Sequence, residues 1–318
     1  MYKKLTFYDL QKINKRKTII LILFFILIAG IMGFLIDNLF LGFPEYIKFP
    51  FLTTFAVFLS AFQSFISYMY GDKIVLKSLR ARPANPKIFE EKQLINIVEE
   101  MKIASGLPMP KIYIIESDIP NAFATGRDPE HSSVAVTRGL MKLLNREEMQ
   151  GVIGHEMAHI KNRDILTMTV AATLLGIIVL LSDLASRGLR WGGGSRRRDM
   201  GKGSGSAIVL IFLILLAILS PIIARLISLA ISRSREYLAD ATSAELTRNP
   251  LALAKALEKL ALNQTGKPIG NKAVSHMCIV SPLRSSLMEK ENFWANLWST
   301  HPPIQKRIFY LKRMAHAA

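Results

Sequence analysis

One short stretch of this chain places two imidazoles and a carboxylate at the spacing of a metal-dependent hydrolase: His155-Glu156-Met157-Ala158-His159. On a helix, residues i and i+4 lie on the same face, so His155 and His159 can bind one metal ion together. Glu156 follows the first histidine, where its carboxylate can take a proton from an activated water. The spacing therefore predicts a hydrolytic zinc site with Glu156 as general base.

The residues around this motif favour a helix that begins after Asn145. Asn145 can accept hydrogen bonds from the first-turn amides, and Glu148 stands at the position of a capping box. No proline interrupts residues 146–164, so both histidines are expected on one continuous helix. Asp164, at the end of this stretch, can orient a ligand or pair with Arg163, and the spacing does not decide between these roles.

A catalytic zinc takes three protein ligands and keeps one position open for water or substrate. Glu236 is the candidate for the third ligand, because it lies with Asp240 in a stretch of helical apolar spacing. The two carboxylates stand at i and i+4, so Asp240 can accept a hydrogen bond from a ligand imidazole. From spacing alone, an acidic helix face paired with Arg233 or Arg235 remains an open alternative.

Uncharged apolar runs occur at residues 18–36, 49–70, 165–182 and 207–224. The first two have the length of about 20 residues that a helix needs to cross the hydrocarbon core of a bilayer. A cleaved signal peptide is a poorer interpretation of the first run, which is long for such a peptide and lacks a small-x-small site after it. We expect an uncleaved anchor that forms a transmembrane hairpin with the second run.

The formal net charge of +17 is concentrated near the ends of the apolar runs. The loop at residues 37–48 has two acids and one base, whereas basic residues flank the first hairpin on its other side: Lys3, Lys4, Lys12, Lys15, Arg16, Lys17, Lys73, Lys77, Arg80, Arg82 and Lys87. This pattern predicts that both ends of the hairpin lie in the cytoplasm. Membrane orientation explains the charge, so the bilayer is an expected partner and nucleic acid is not. The lone Cys278 excludes an internal disulfide and suits a reducing compartment.

The second pair of apolar runs, within residues 165–224, could either cross the membrane or enter it without crossing. The two histidines and Glu236 must meet on one side, so this pair crosses the membrane twice or not at all. A full crossing places several basic residues outside, against the positive-inside bias: Arg187, Arg190, Arg196, Arg197, Arg198 and Lys202. A re-entrant pair would avoid that conflict. We favour a crossing hairpin, because the first hairpin often fixes orientation.

A small α+β unit is predicted between the two apolar pairs. Residues 89–104 have helical apolar spacing, and residues 111–116 and 132–137 read as short strands. Residues 121–126 are expected to form an edge strand. The predicted fold is a mainly α membrane protein with two apolar hairpins and a gluzincin-like α+β zinc protease domain, divided into segments 1–71, 72–164, 165–224 and 225–318.

Four motifs resemble those of the HtpX-type integral-membrane zinc metalloproteases, a family related to the CAAX prenyl proteases. They are N-A-F-A-T-G at residues 121–126, G-H-E-M-A-H followed by N-R-D, R-E-Y-L-A-D at residues 235–240, and S-T-H-P-P at residues 299–303. The resemblance covers essentially the whole chain. It implies one Zn²⁺ per chain, with Glu236 as the third ligand and Asp240 as a hydrogen-bond partner of a ligand.

The same resemblance implies roles for residues away from the metal. A substrate backbone would add to the edge strand at residues 121–126 by β-pairing, with contacts from Asn121 and Ala122. His301 and Arg307 resemble the family's pair that contacts the tetrahedral intermediate, where such groups stabilise an oxyanion. A structural role at the start of the last helix remains the alternative for His301. Three further histidines match no motif: His131, His276 and His316.

The predicted function is that of a membrane-bound zinc endopeptidase. A helix that continues from His159 to Ile165 would place the metal about 9 Å from the third apolar run, at 1.5 Å per residue. A site so close to the bilayer, together with the resemblance, implies misfolded or damaged membrane proteins as substrates. The expected location is the cell (inner) membrane, with several spans and the protease domain in the cytoplasm. A CAAX-type prenyl-protein protease and a non-catalytic membrane scaffold that retains the fold are the alternatives.

Overall fold

The computed structural model describes residues 7–38, 50–176, 233–263, 279 and 302–317. The helices and strands in these ranges are, in chain order, α1 (Phe7–Ile36), α2 (Phe51–Ser78), β1 (Arg82–Pro83), α3 (Phe89–Ser105), β2 (Lys111–Ile115), β3 (Ala122–Gly126), β4 (Ser132–Thr137), α4 (Arg138–Leu143), α5 (Arg146–Lys161), α6 (Asp164–Gly176), α7 (Arg233–Thr247), α8 (Pro250–Leu262) and α9 (Ile304–Ala317). Mostly helical elements with one small sheet confirm the coarse fold prediction. His301 and residues 177–232 of the second apolar pair lie outside the described ranges.

The first two apolar runs form long helices, α1 and α2, that pack against each other. A Cβ at Gly33 would stand 2.6 Å from the Cα of Thr53, so only glycine permits this approach. Asp37, just beyond α1, accepts hydrogen bonds from the amides of Leu52 and Thr53 at 3.1 and 2.8 Å. These bonds satisfy first-turn amides of α2 and fasten the end of α1 to the start of α2.

Both helices contain a segment long and apolar enough to cross a membrane, namely Lys12–Leu35 and Phe51–Ser78. Their outer faces expose large apolar side chains: Ile20, Leu23, Phe58 and Phe62 are between 53% and 68% exposed. The core helix of a water-soluble domain buries such side chains, whereas a bilayer solvates them. The exposed faces therefore suit contact with lipid.

The strands form one sheet in the order β1-β2-β4-β3, in which β2 and β4 are parallel and the other neighbours antiparallel. The strand predicted at residues 132–137 is confirmed as β4, and the predicted edge strand is β3. Ala122 lies opposite Val136 and Ala124 opposite Val134. Asn121 C=O accepts a hydrogen bond from Thr137 N–H. Hydrogen-bonded and non-hydrogen-bonded pairs alternate along two antiparallel strands, so the amides and carbonyls of Ala122 and Ala124 point away from β4.

Helix α5 lies at the centre of the domain, packed against β3, α3, α7 and α8. Its predicted capping box is present, since Asn145 Oδ1 accepts from Glu148 N–H and Glu148 Oε2 accepts from Asn145 N–H, both at 2.9 Å. Gly151 gives α8 close access, because a Cβ there would stand 2.8 Å from Leu253 N. The hydroxyl of Ser243 on α7 donates to Gly151 C=O at 2.7 Å. These contacts hold α7 and α8 against the helix that carries the motif.

Both histidines lie on one helix, α5, as expected, but this helix does not continue to Ile165, the condition on which the separation of about 9 Å depended. Helix α5 ends at Lys161, and Arg163 takes a left-handed backbone conformation with φ of 57°. That conformation breaks the helix, and α6 begins anew at Asp164. The third apolar run therefore begins in a new helix, after a corner that follows the motif, and does not continue helix α5.

A buried carboxylate joins three elements on the far side of the sheet from α1. Glu91 of α3 accepts hydrogen bonds from Arg82 of β1 at 2.7 and 3.0 Å, from Arg138 of α4, and from Asn85 N–H at 2.7 Å. The hydrogen bonds from Arg82 outweigh burial and, with the Asn85 amide and the charge of Arg138, lower the pKa of Glu91 to about 2. The carboxylate is thus charged in the folded protein at any pH above that value.

Stability is expected to depend on the charge of Glu91. Its folded-state pKa lies below the ordinary 4.5, so this contribution is complete above pH 4.5 and is lost as the pH falls toward 2. The shift corresponds to about 3 kcal/mol at neutral pH. We expect Glu91→Gln to reduce the change in Tm between about pH 5 and pH 3, measured in detergent, whereas Glu90→Gln on the exposed side of α3 keeps the wild-type change. An unaltered pH slope in Glu91→Gln would contradict this account.

Candidate metal centre

Helices α5 and α7 bring the three predicted ligands together. The Nε2 atoms of His155 and His159 lie 3.1 Å apart, and the carboxylate oxygens of Glu236 lie 3.8 and 3.7 Å from them. All three side chains are buried. Ligand atoms around a tetrahedral zinc at 2.0–2.2 Å stand about 3.3 Å from one another. The two nitrogens and the Glu236 carboxylate thus lie close enough together to bind one metal ion.

Carboxylates hold the far side of both imidazoles. Asp240 Oδ1 lies 2.9 Å from His155 Nδ1, and Asp164 Oδ2 lies 3.1 Å from His159 Nδ1. A carboxylate at Nδ1 fixes the proton there and leaves Nε2 free to bind a metal. Asp240 occupies the place expected of it. Asp164, whose role the spacing left open, contacts the predicted ligand His159 and pairs with Arg235 of α7 at 2.8 Å.

The charge around His159 makes it more basic than an ordinary histidine. Burial acts to lower its pKa, but the hydrogen bond with Asp164 and the negative charges of Glu236, Asp164 and Glu156 raise the pKa to about 9. A metal ion binds the neutral imidazole, so metal binding displaces this proton and weakens as the pH falls. The same negative surroundings that hold the proton would hold a cation in its place.

Glu156 lies between the metal cluster and the edge strand. Its side chain is buried, and its carboxylate accepts a hydrogen bond from the outward-facing amide of Ala124 in β3. Burial raises the pKa of Glu156, and the charges of His155 and His159 offset part of that rise. A carboxyl group with a raised pKa can both accept a proton from water and release it again, as general acid–base catalysis requires.

Arg307 of α9 is also buried beside the cluster. Its guanidinium donates to both oxygens of Asp240, at 2.8 and 2.6 Å, and lies 3.3 Å from Glu236 Oε2. These carboxylates raise the pKa of Arg307 despite its burial, and Arg307 in turn lowers the pKa of Asp240. Arg307 thus positions Asp240, and Asp240 in turn contacts His155 Nδ1. Arg307 and Asp240 were both predicted as site residues, but their pairing was not. The two residues are 67 positions apart, so no local spacing indicates that they meet.

The outer edge of β3 contacts the backbone of Ile279. The amide of Ile279 lies 3.3 Å from both Ala122 C=O and Asn121 Oδ1, and Asn121 Oδ1 also accepts from Ala122 N–H at 2.8 Å. The carbonyl of Ile279 accepts from Arg307 Nη1 at 2.8 Å. The side chain of Ile279 is buried in the hydrophobic core. Ile279 lies in no motif, so this contact could not be predicted from local sequence.

Several known proteins are similar to this chain in sequence or in structure. The sequence profile of peptidase family M48 matches residues 89–315. A protease HtpX homolog of Caldanaerobacter subterraneus subsp. tengcongensis is 45% identical over 315 residues, which are 98% of this chain and 99% of the relative. A protease HtpX homolog of Thermococcus kodakarensis is 44% identical over 289 residues, covering 90% and 95%. The crystal structure of S. mikatae Ste24p is similar over 89% of this chain and 62% of that chain, with a TM-score of 0.47 and 20% identity.

The M48 profile and the HtpX homologs, together with the two apolar helices and a cluster able to bind a metal, define a membrane-bound metalloprotease. The chain belongs to peptidase family M48, and its predicted resemblance to the HtpX-type proteases is confirmed. Membership implies a metal cofactor, generally zinc, and peptide or protein substrates. The cluster of His155, His159 and Glu236 is able to bind that metal.

Proposed function

We propose that the chain is a zinc endopeptidase of the gluzincin type that cleaves membrane proteins. One Zn²⁺ would be held by His155, His159 and Glu236. The observation that carries this proposal is the convergence of their three buried donor atoms, with each imidazole fixed from behind by its own aspartate. This donor set, of two neutral nitrogens and one carboxylate, is a zinc set that leaves a fourth position open.

Glu156 performs the proton transfers of the proposed reaction. Bound zinc supplies Lewis acidity toward the scissile carbonyl and lowers the pKa of water in the site. Glu156 takes a proton from the attacking water and delivers it to the leaving amine. Its burial and raised pKa suit both steps, and the Ala124 amide keeps its carboxylate at the edge of β3.

The outer edge of β3 is the proposed substrate position. Ala122 C=O and the side-chain oxygen of Asn121 both accept from Ile279 N–H, and these contacts support the pairing of an extended backbone at this edge. Arg307 Nη1, which donates to the carbonyl of Ile279, would donate to a substrate carbonyl or a developing oxyanion. His301 is proposed as its companion on the resemblance to the family.

The position of the site favours substrates within or beside the bilayer. Asp164, which contacts His159, is also the first residue of the apolar helix α6, so the metal cluster and an apolar helix meet at one residue. We propose misfolded or damaged membrane proteins as substrates, hence a role in quality control. The proposed location is the cell (inner) membrane with several spans, including a crossing hairpin in residues 165–224, and with the protease segments 72–164 and 225–318 in the cytoplasm.

Proteolysis by the purified full-length protein tests this function. We expect it to cleave a misfolded single-span membrane protein in detergent or liposomes, to stop when a zinc chelator is added, and to recover when Zn²⁺ is restored, because the metal activates both water and carbonyl. Glu156→Gln serves as the inactive control. Chelator-resistant cleavage would refute a zinc mechanism, and cleavage restricted to prenylated peptides would favour the prenyl-protease alternative.

Orientation is tested by labelling a single cysteine on the protease domain. With Cys278 replaced by serine, Lys92→Cys places one thiol on the exposed side of α3. We expect a membrane-impermeant maleimide to label it only after the cell membrane is opened. Labelling of intact spheroplasts would place the domain outside the cytoplasm.

A further inference from the structure

The first apolar helix reaches the metal cluster through a buried polar contact. Asn14 of α1 is 3% exposed, and its amide nitrogen donates to Asp164 Oδ1 at 2.6 Å and to Asn162 C=O at 2.9 Å. Asn162 and Asp164 form the corner between α5 and α6. A side chain of a membrane helix therefore bonds to the carboxylate that contacts the ligand His159.

The two oxygens of Asp164 have different partners. Oδ2 lies against His159 Nδ1, whereas Oδ1 accepts from both Asn14 and Arg235, at 2.6 and 2.8 Å. Two donors on one oxygen restrict rotation of the carboxylate about its Cβ–Cγ bond. That restriction keeps the other oxygen aimed at His159, and a misplaced ligand partner weakens metal binding.

A second contact joins the same helices without touching Asp164. The hydroxyls of Thr18 on α1 and Thr167 on α6 lie 2.9 Å apart, one turn beyond Asn14. Thr18 also donates to the carbonyl of Asn14 at 3.0 Å. The docking of α1 on α6 and the orientation of Asp164 can therefore be perturbed separately.

We propose that Asn14 is a positioning residue of the metal site, so that the first membrane helix completes the support of ligand His159. This inference rests on the proposed zinc site. Asn14 acts by fixing Asp164, Asp164 acts by fixing the imidazole, and neither touches substrate. The membrane anchor is then part of the architecture of the active site.

Zinc affinity of the full-length protein, measured by chelator competition in detergent, tests this role. We expect Asn14→Leu, which keeps the size but removes the donor, to weaken zinc binding by about 3- to 10-fold. Loss of the direct partner in Asp164→Ala is expected to cost about 10- to 100-fold. Thr18→Val, the matched control, removes the hydroxyl contact between Thr18 and Thr167 and is expected to stay within about twofold of wild type. The visible spectrum of the Co²⁺-loaded protein should change in Asn14→Leu and not in Thr18→Val.

Three results separate the alternatives. Wild-type zinc affinity in Asn14→Leu, beside weakened binding in Asp164→Ala, would overturn the role of Asn14 alone. Equal weakening in Asn14→Leu and Thr18→Val would show that only helix docking matters, which also overturns it. Unchanged binding in His159→Ala would instead overturn the proposed zinc site. If Asn14→Leu does not fold, Asn14→Ala removes the donor without added apolar bulk and is judged by the same comparison.

Discussion

Glu156→Gln is expected to keep zinc bound and to lower the kcat/KM of peptide hydrolysis by about a thousandfold, within the range that general acid–base groups contribute. Glutamine preserves the size of the side chain but cannot accept a proton from water. Glu156 is not one of the three converging donors, so zinc stoichiometry should be unchanged. The two measurements are the zinc content of the purified protein and its kcat/KM on a peptide substrate.

The matched control for this substitution is Glu147→Gln, at an exposed position in the first turn of the same helix. It removes a carboxylate from α5 without entering the site, and we expect wild-type kcat/KM. Near-normal proteolysis by Glu156→Gln would rule out its role as the general base. Loss of zinc in that variant would show that Glu156 acts on the cluster itself.

Removal of any one ligand is expected to abolish both zinc binding and proteolysis. In His155→Ala, His159→Ala or Glu236→Ala, two donors remain in a site that needs three. Zinc content should fall well below one per chain, and added Zn²⁺ should no longer raise Tm, because a ligand stabilises a fold only when it binds the folded state. Zinc analysis, Tm with and without Zn²⁺, and kcat/KM measure the three effects.

His316→Ala is the control for the ligand substitutions, since His316 is an exposed histidine on α9. We expect it to match the wild type in zinc content, Tm and kcat/KM. Stoichiometric zinc together with full activity in any one of the three ligand variants would remove that residue from the proposed set.

Local features of the sequence were sufficient to predict the helix that carries the motif. The capping box at Asn145 and the i, i+4 spacing of His155 and His159 both operate within one or two turns, and both are present as expected. The edge position of β3 was also predicted, for a segment that lies between the two other predicted strands. The left-handed Arg163 was not, because arginine has no special preference for that conformation and the tertiary contacts of the corner decide it.

Contacts across long sequence separations were not predictable in the same way. Asn14 and Asp164 are 150 residues apart, and Arg307 and Asp240 are 67 apart. No periodicity links such pairs, since they meet only when separate helices pack. Glu236 is intermediate: its spacing to Asp240 indicated a shared face, but its prediction as a third ligand required the resemblance to the HtpX-type proteases.

The ionisable side chains buried around the metal cluster include more acids than permanently charged bases. Among the buried side chains that the structure describes there, four are carboxylates and two are guanidiniums: Glu156, Asp164, Glu236, Asp240, Arg235 and Arg307. When the carboxylates are ionised, two negative charges remain, and one divalent cation neutralises them. The elevated pKa of His159 has the same origin, since the protein takes up a proton where positive charge is lacking. A metal bound there would therefore be a counter-ion of the core as well as a catalyst, and its removal would leave uncompensated charge at the junction of α5 and α7, where burial makes it costly.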